Sequence, residues 1–259
     1  MSDHDKFSDS AGVPWEGRSF EANPFSGDAG LADENLLEAI ANFQTGVAGL
    51  EKVYEAFASA RFLIPLLAEL GESGVGAHGQ QVDKSADLSI VTVLTPDNQK
   101  ALPVFSSVAA MTKWNANARP VPNDGRKVCL AAASEGNTRI VLDPLSETEL
   151  VIRRPAIAAI AQGLNWLPPE RNPEVVELIN QSVEEIAEVE SFTLVCGDPT
   201  ARLRGQELLL VVYLKPGLTE LELKGIEGQL FGQLGASERF VELVDSLAVK
   251  FLPTSSQDQ

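Results

Sequence analysis

The apolar positions of the first third of the chain fall at helical steps. Asp33 stands ahead of Leu36, Leu37, Ile40 and Phe43, a spacing that predicts a capped helix with one apolar stripe. After Gly49 the same rhythm recurs at Leu50, Val53, Tyr54 and Phe57, so a second helix follows and the pair covers one side of a sheet. From Arg61 the rhythm turns to strands, beginning with "RFLIPLL", where Pro65 lacks a ladder donor and predicts an edge strand or a bulge. Beyond a glycine-rich loop, a hairpin followed by a helix comes three times. The hairpins are "LSIVTVLTPDNQKALPVF", "RIVLDPLSETELVI" and "SFTLVCGDPTARLRGQELLLVVYL", turning at Thr95-Pro96, Asp143-Pro144 and Asp198-Pro199. Residue identity between the three is negligible, so they share a layout and not a demonstrated duplication. Hairpins with helices returning over them predict an α+β fold with mainly antiparallel sheets.

The stretch "NWLPPERNPE" divides the chain. Its prolines end one helix and restart another, for Asn172 suits an N-cap, Pro173 the first helical position and Glu174 the positive end of the dipole. The restarted helix carries Val175, Val176, Ile179, Val183 and Ile186 on one face and Glu177, Glu184, Glu185 and Glu188 on the other. The organisation expected is an acidic N-terminal tail or strap over 1–33, an α+β domain over 34–165, a second α+β domain over 172–253 packed in tandem, and a disordered tail over 254–259. Trp15, Phe20 and Phe25, at even steps in the first segment, are the reason for reading a strap beside a tail.

Composition narrows the function classes. The chain has 259 residues and a net charge of −17, with ten acids and ten bases in 61–165 and the excess acid in both flanks. The loose basic group Lys113, Arg119, Arg126 and Lys127, interrupted by Asp124, is too thin to offset phosphate repulsion, so no nucleic-acid role is expected. Cys129 and Cys196 lie in separate apolar contexts, which argues for free thiols and a reducing, cytoplasmic setting. The longest apolar run, Phe62 to Ala68, is too short for a bilayer and no basic leader precedes an apolar stretch, so neither membrane insertion nor secretion is expected.

Five features could carry chemistry. Ser106 and Ser107 lie where a strand enters a helix, but a nucleophile elbow needs flanking glycines and a base, and the flanks are Phe105 and Val108. Capping of the next helix by serine oxygen is the expectation. "GVGAHG" fits the dinucleotide fingerprint in letters only, since a strand and not a helix leaves it. The polar group behind it, His78, Asp83, Lys84, Ser85 and Asp87, reads as a solvated loop or a ligand or partner loop, without metal-ligand spacing. Arg153 and Arg154, together with Arg119, offer forked donors to an anion, or are ordinary surface arginines. Finally, Thr219 and Glu222 form a capping box for a helix whose Leu223, Ile226, Leu230 and Leu234 face inward, while Gly225, Gly228 and Gly232 line the opposite side. Two readings stand for that stripe: close approach of another element of the same chain, or a self-association face.

At "PWEGRSFEANPF", "GVGAHGQQVDKSADLSIVTV", "KALPVFSSVAAMTKWN", "ARPVP" and "IVLDP" the chain resembles the SseB family, the group named for enhanced serine sensitivity. The match is clearest over residues 14 to 165; Ser106 departs from it, the family usually showing threonine there. The resemblance implies an α+β SseB N-terminal domain in a cytoplasmic bacterial setting and supplies no catalytic residues. The function expected is a non-enzymatic binding or regulatory module without a cofactor, its partner a protein or a second copy. A small anion or amino-acid-related metabolite binder is the alternative, and an uncharacterised hydrolase the third reading.

Overall fold

Local rules start most helices where the pattern places them. The computed structural model describes residues 25–68, 74–75, 81–82 and 88–254. Helix α1 (Glu34–Gln44) is capped by Asp33, whose side chain accepts from the Leu36 amide, and α2 (Leu50–Ser59) buries Val53, Tyr54 and Phe57. Leu36 and Ile40 are buried, while Leu37 is exposed. Strand β1 (Arg61–Ala68) follows, then β2 (Gly74–Val75), β3 (Gln81–Val82), β4 (Leu88–Ile90), β5 (Val93–Leu94) and β6 (Lys100–Val104). Helix α3 (Val108–Trp114), β7 (Arg119–Asp124), α4 (Gly125–Ser134), β8 (Arg139–Leu142), β9 (Leu150–Arg153) and α5 (Arg154–Gln162) complete the first half. A 3₁₀ turn at Pro169–Arg171 precedes α6 (Pro173–Glu184), β10 (Val189–Cys196), β11 (Leu208–Leu214), α7 (Glu220–Ala236), α8 (Glu238–Leu243) and β12 (Leu247–Pro253). Asn172 accepts from the Glu174 amide, and Thr219 with Glu222 closes the capping box.

The fold is α+β with mainly antiparallel pairing, as the pattern predicts. Two parallel contacts, β6 with β8 and β11 with β12, carry no sequence signal. Each joins strands separated by helices, the connection that parallel pairing requires. Two corrections concern the strands. The segment read as the first hairpin splits: β4 pairs with β1, and only β5 turns back onto β6. "RFLIPLL" is not an edge, because β1 lies between β4 and β7. Pro65 is tolerated there because it stands opposite Pro120, while Leu63 exchanges hydrogen bonds with Phe105 and the β4 ladder begins at Leu66. The missing donor therefore falls in the gap between the two partners on that side of β1.

The apolar side chains gather into two main cores. In the first, Leu36, Tyr54 and Phe57 of α1 and α2 meet Phe62 and Ile64 of β1, Leu102 and Val104 of β6, Ile140 of β8 and Ile152 of β9, with α4 and α5 alongside. In the second, Val175 and Ile179 of α6 and Ile226, Leu230 and Leu234 of α7 cover Leu208, Leu210 and Val212 of β11. Gly125 sets how closely α4 meets α2, since a Cβ there would lie 1.8 Å from the Phe57 carbonyl oxygen. No helix among the described residues is long and apolar enough to cross a membrane.

The glycines of α7 behave oppositely to Gly125. Among the described residues a Cβ at Gly225, Gly228 or Gly232 would meet nothing within 4 Å, so no described element approaches the stripe. Replacing each by alanine is expected to raise stability by about 1 kcal/mol, as for any exposed interior helical glycine. Urea denaturation of the three single variants checks this, and a loss of stability in any of them would mean that something else packs on that face.

Candidate functional site

A loop from the second half reaches across to the first. Between β10 and β11 the chain turns at Asp198, whose carboxylate accepts the amides of Arg202 (3.3 Å), Leu203 (2.8 Å) and Arg204 (3.1 Å). Ala201 and Leu203 take left-handed backbone angles, φ 51° and 56°, a conformation that costs energy outside glycine and is held here by those bonds. The loop docks on β9: the Val151 amide donates to the Ala201 carbonyl at 2.7 Å, and Arg202 donates to the carbonyls of Glu147 and Glu149.

Beside this loop the two halves are joined by buried charge. Arg139 and Arg153 are paired across the ends of β8 and β9, so their guanidinium groups project at the same end of the hairpin. Asp245, in the segment between α8 and β12, accepts Arg139 in a two-pronged pair at 2.7 and 2.8 Å and Arg153 at 3.1 Å. Arg153 also donates to Asp198 (2.8 Å), to Ser246 and to the Gly205 carbonyl. Burial opposes the Arg153 charge, but the Asp198 and Asp245 carboxylates outweigh it and hold its pKa above the ordinary value. Asp97, from the turn after β5, pairs with Arg139 at 3.0 Å.

Against this network lies a cavity of about 280 Å³. Its walls are mostly apolar or small: Phe43, Gly49 and Leu50 from the α1–α2 region, Val151, Pro168, Pro169, Pro199 and Ala201. Tyr54, Trp166, Arg153, Asp198, Glu207 and Cys196 bring the chemistry. Tyr54 is 4% exposed and packs edge-on against Trp166, ring centroids 4.8 Å apart. Its hydroxyl has no hydrogen-bond partner among the described residues, and the buried Trp166 Nε1 has none either. Glu207, 8% exposed, accepts the Asp245 amide on Oε2 at 2.6 Å and leaves Oε1 without a partner. Burial, reinforced by the Asp245 charge, lifts the Glu207 carboxyl to about 7 against the pull of Arg153 and Arg139. Burial raises the Tyr54 phenol and the Cys196 thiol as well, so both are neutral at pH 7 and the thiol is a weak nucleophile. What the cavity can do chemically is accept and orient a small molecule and exchange a proton through Glu207. No group of three or more His, Cys, Asp or Glu among the described residues is placed to hold a metal ion.

The residues singled out by sequence are dispersed. Arg153 lies at the cavity with its Nη donors engaged by the chain's own acceptors. Arg154, next along, donates to the Val241 carbonyl, and Arg119 sits exposed in another sheet without a bond to either. His78, Asp83 and Lys84 fall outside the described residues, as do Trp15 and Phe20. The serine question resolves in two parts. Ser107 caps α3, accepting the Ala110 amide at 3.1 Å, whereas the buried Ser106 donates its hydroxyl and its amide to the two oxygens of Asp143, each at 2.7 Å. The capping expectation therefore holds for Ser107 and is corrected for Ser106. Its hydroxyl instead ties β6 to the turn after β8, where Thr148 also donates to Asp143. The sequence pattern does not single out Tyr54 or Glu207: the first falls on the apolar stripe of Leu50, Val53 and Phe57, and the only hint of the second is an acid at the head of the run "LLLVVYL".

Residues 34–159 match the family model described as SseB protein N-terminal domain. No curated protein and no solved structure matches the chain.

Proposed function

We propose, for a chain whose residues 34–159 belong to the SseB family, a non-enzymatic binding and regulatory role in which a small ligand occupies the cavity where the two cores meet. One observation carries this reading. Tyr54, Trp166 and Glu207 all line one mostly apolar-walled cavity, and each keeps a polar atom, the phenol oxygen, the indole N–H and one carboxyl oxygen, without a hydrogen-bond partner among the described residues. Unpaired polar atoms in a buried site are costly, and a ligand that satisfies them recovers that cost. Its regulatory character follows from position, since α2 belongs to the first core and the Glu207 strand leads into the second. A ligand held by both biases how they meet.

A thermal-shift screen of uncharged, cationic and anionic fragments, followed by alkylation of Cys196, tests the reading. Cys196 lines the cavity and is exposed, while Cys129 is fully buried with its thiol raised to about 12. With iodoacetamide at pH 8.5, Cys196 is expected to react slowly and Cys129 not at all in the folded protein. Fragments that raise the melting temperature are expected to slow Cys196 several-fold. A screen in which no stabilising fragment protects Cys196 counts against the cavity as the site.

A protein partner or second copy is the other reading. It is supported by the outward face of α7, where Leu221 (81% exposed) and Phe231 stand beside the glycine stripe.

A further inference from the structure

The ligand class follows from which valences at the cavity remain open, an inference that rests on the binding reading above. Both cations of the network have their charge paired with carboxylates, although Arg139 keeps its buried Nε without a hydrogen-bond partner among the described residues. Arg153 Nη1 donates to Asp245 and Ser246, and Nη2 to Asp198 and the Gly205 carbonyl. Arg139 is held by Asp245 and Asp97. At the rim, Arg171 is tied to Glu51 at 2.6 Å. Asp198 is likewise spent, on Arg153 and three loop amides. Among the acidic and neutral side chains of the lining, the valences left open are Glu207 Oε1, the Tyr54 hydroxyl and the Trp166 indole N–H.

An anion entering here meets the carboxyl groups of Glu170, Asp198 and Glu207, and among the described lining residues both guanidinium groups, those of Arg153 and Arg171, are already paired with carboxylates. With Glu207 ionised, the two arginines of the network face four acids, Asp97, Asp198, Asp245 and Glu207, so the local balance is negative. An ammonium group meets the opposite situation. It can donate to the free carboxyl oxygen and to the phenol oxygen, and two aromatic side chains, Tyr54 and Trp166, line the same space. The cavity volume, about 280 Å³, lies at the small end of ligand sites and suits a compact molecule.

We propose that the cavity binds a primary ammonium carried on a small apolar body, the ammonium held by Glu207 Oε1 and the Tyr54 hydroxyl and the body lying among Leu50, Pro169 and Trp166. Binding depends on pH through Glu207. The charged and titratable groups around it are Tyr54 on α2, Arg139 and Arg153 at the ends of β8 and β9, Asp198 and Cys196 at the loop, and Asp245 before β12. Because the carboxyl titrates near 7, its ionised fraction rises about tenfold between pH 6 and pH 8, and ammonium affinity rises with it.

The test uses the full chain and matched triplets on two frames: benzylamine, benzyl alcohol and benzoate, and 3-methylbutylamine, 3-methylbutanol and 3-methylbutanoate. Calorimetric titration at pH 8 is expected to give the amine at least tenfold tighter binding than the alcohol, with the carboxylate weakest. Amine affinity should drop about tenfold at pH 6. In Glu207→Gln, which keeps an acceptor for the Asp245 amide, the amine should lose both its advantage and its pH dependence while the alcohol binds as before. Tyr54→Phe should weaken the amine in the same sense and serves as the second variant if Glu207→Gln is poorly folded. Alcohol or carboxylate binding equal to or tighter than the amine overturns the ammonium assignment and leaves the cavity reading intact. A stabilising fragment of another class that protects Cys196, with no amine binding, does the same. Absence of binding by any triplet, together with no protecting fragment in the wider screen, overturns both.

Discussion

Replacing Asp245 with alanine is expected to destabilise the protein by about 3–5 kcal/mol, the cost of leaving a buried charge without its partner. The side chain of Asp245 is 4% exposed and is the acceptor shared by Arg139 and Arg153, themselves 6% and 7% exposed. Its removal strips Arg139 of a two-pronged pair and leaves it the neutral Thr138 carbonyl and one carboxylate, Asp97, which is more than a third exposed. Solvent-facing ion pairs contribute about 0–1 kcal/mol, so position decides the size of the effect more than pairing does. Asp245→Asn retains an acceptor oxygen and should fall between wild type and alanine. Urea denaturation at pH 8 measures both, and a loss below about 1 kcal/mol for alanine would mean that the junction is wet enough to solvate the arginines.

Glu207→Gln is expected to act in the other direction, and only above neutrality. The folded protein holds this carboxyl at about 7 against an ordinary 4.5, so between those values the native state keeps a proton that the unfolded chain has released. Stability contributed by the group is therefore greatest at and below about pH 4.5, declines as pH rises towards 7, and is constant above. The decline amounts to about 3 kcal/mol, from 1.36 kcal/mol for each pH unit of displacement. Glutamine has no proton to lose. The variant should match wild type near pH 4 and exceed it by about 3 kcal/mol at pH 8. Denaturant midpoints across that range decide the matter, since a constant offset at every pH would assign the difference to packing.

What the amino-acid order reveals is whatever is settled within a few residues. Asp33, Asn172 and the pair Thr219 and Glu222 cap their helices by bonds spanning two or three positions, and each is readable as letters. Ser107 is of that kind, with its acceptor bond three residues along. Ser106 is not, because its partner Asp143 is 37 residues away and nothing near Phe105 points to it. Strand partners are hidden for the same reason: an unbroken apolar run shows that β11 is buried but not that β12 runs parallel beside it. The cavity is the extreme case. Tyr54, Arg153, Trp166 and Glu207 come from separate elements, and each has an ordinary local explanation as core residue, surface cation, lid or strand-end acid. Only the packing of the loop at Asp198 onto β9 brings them to one space.

The span of the Asp245 clamp also bears on when the junction exists at all. Its bonds to Arg139 close over 106 positions and those to Arg153 over 92, among the longest excursions in the molecule. Contacts of that reach carry the largest loop-closure entropy and form after nearer ones. During synthesis from the N-terminus, β8 and β9 are therefore in place long before their counter-charge arrives, and the pocket wall supplied by Glu207 arrives in the same late stretch. A ribosome-bound or proteolytically shortened product that stops before Asp245 has the hairpin without its latch, so the small-molecule binding proposed above is expected only once the chain extends through Asp245.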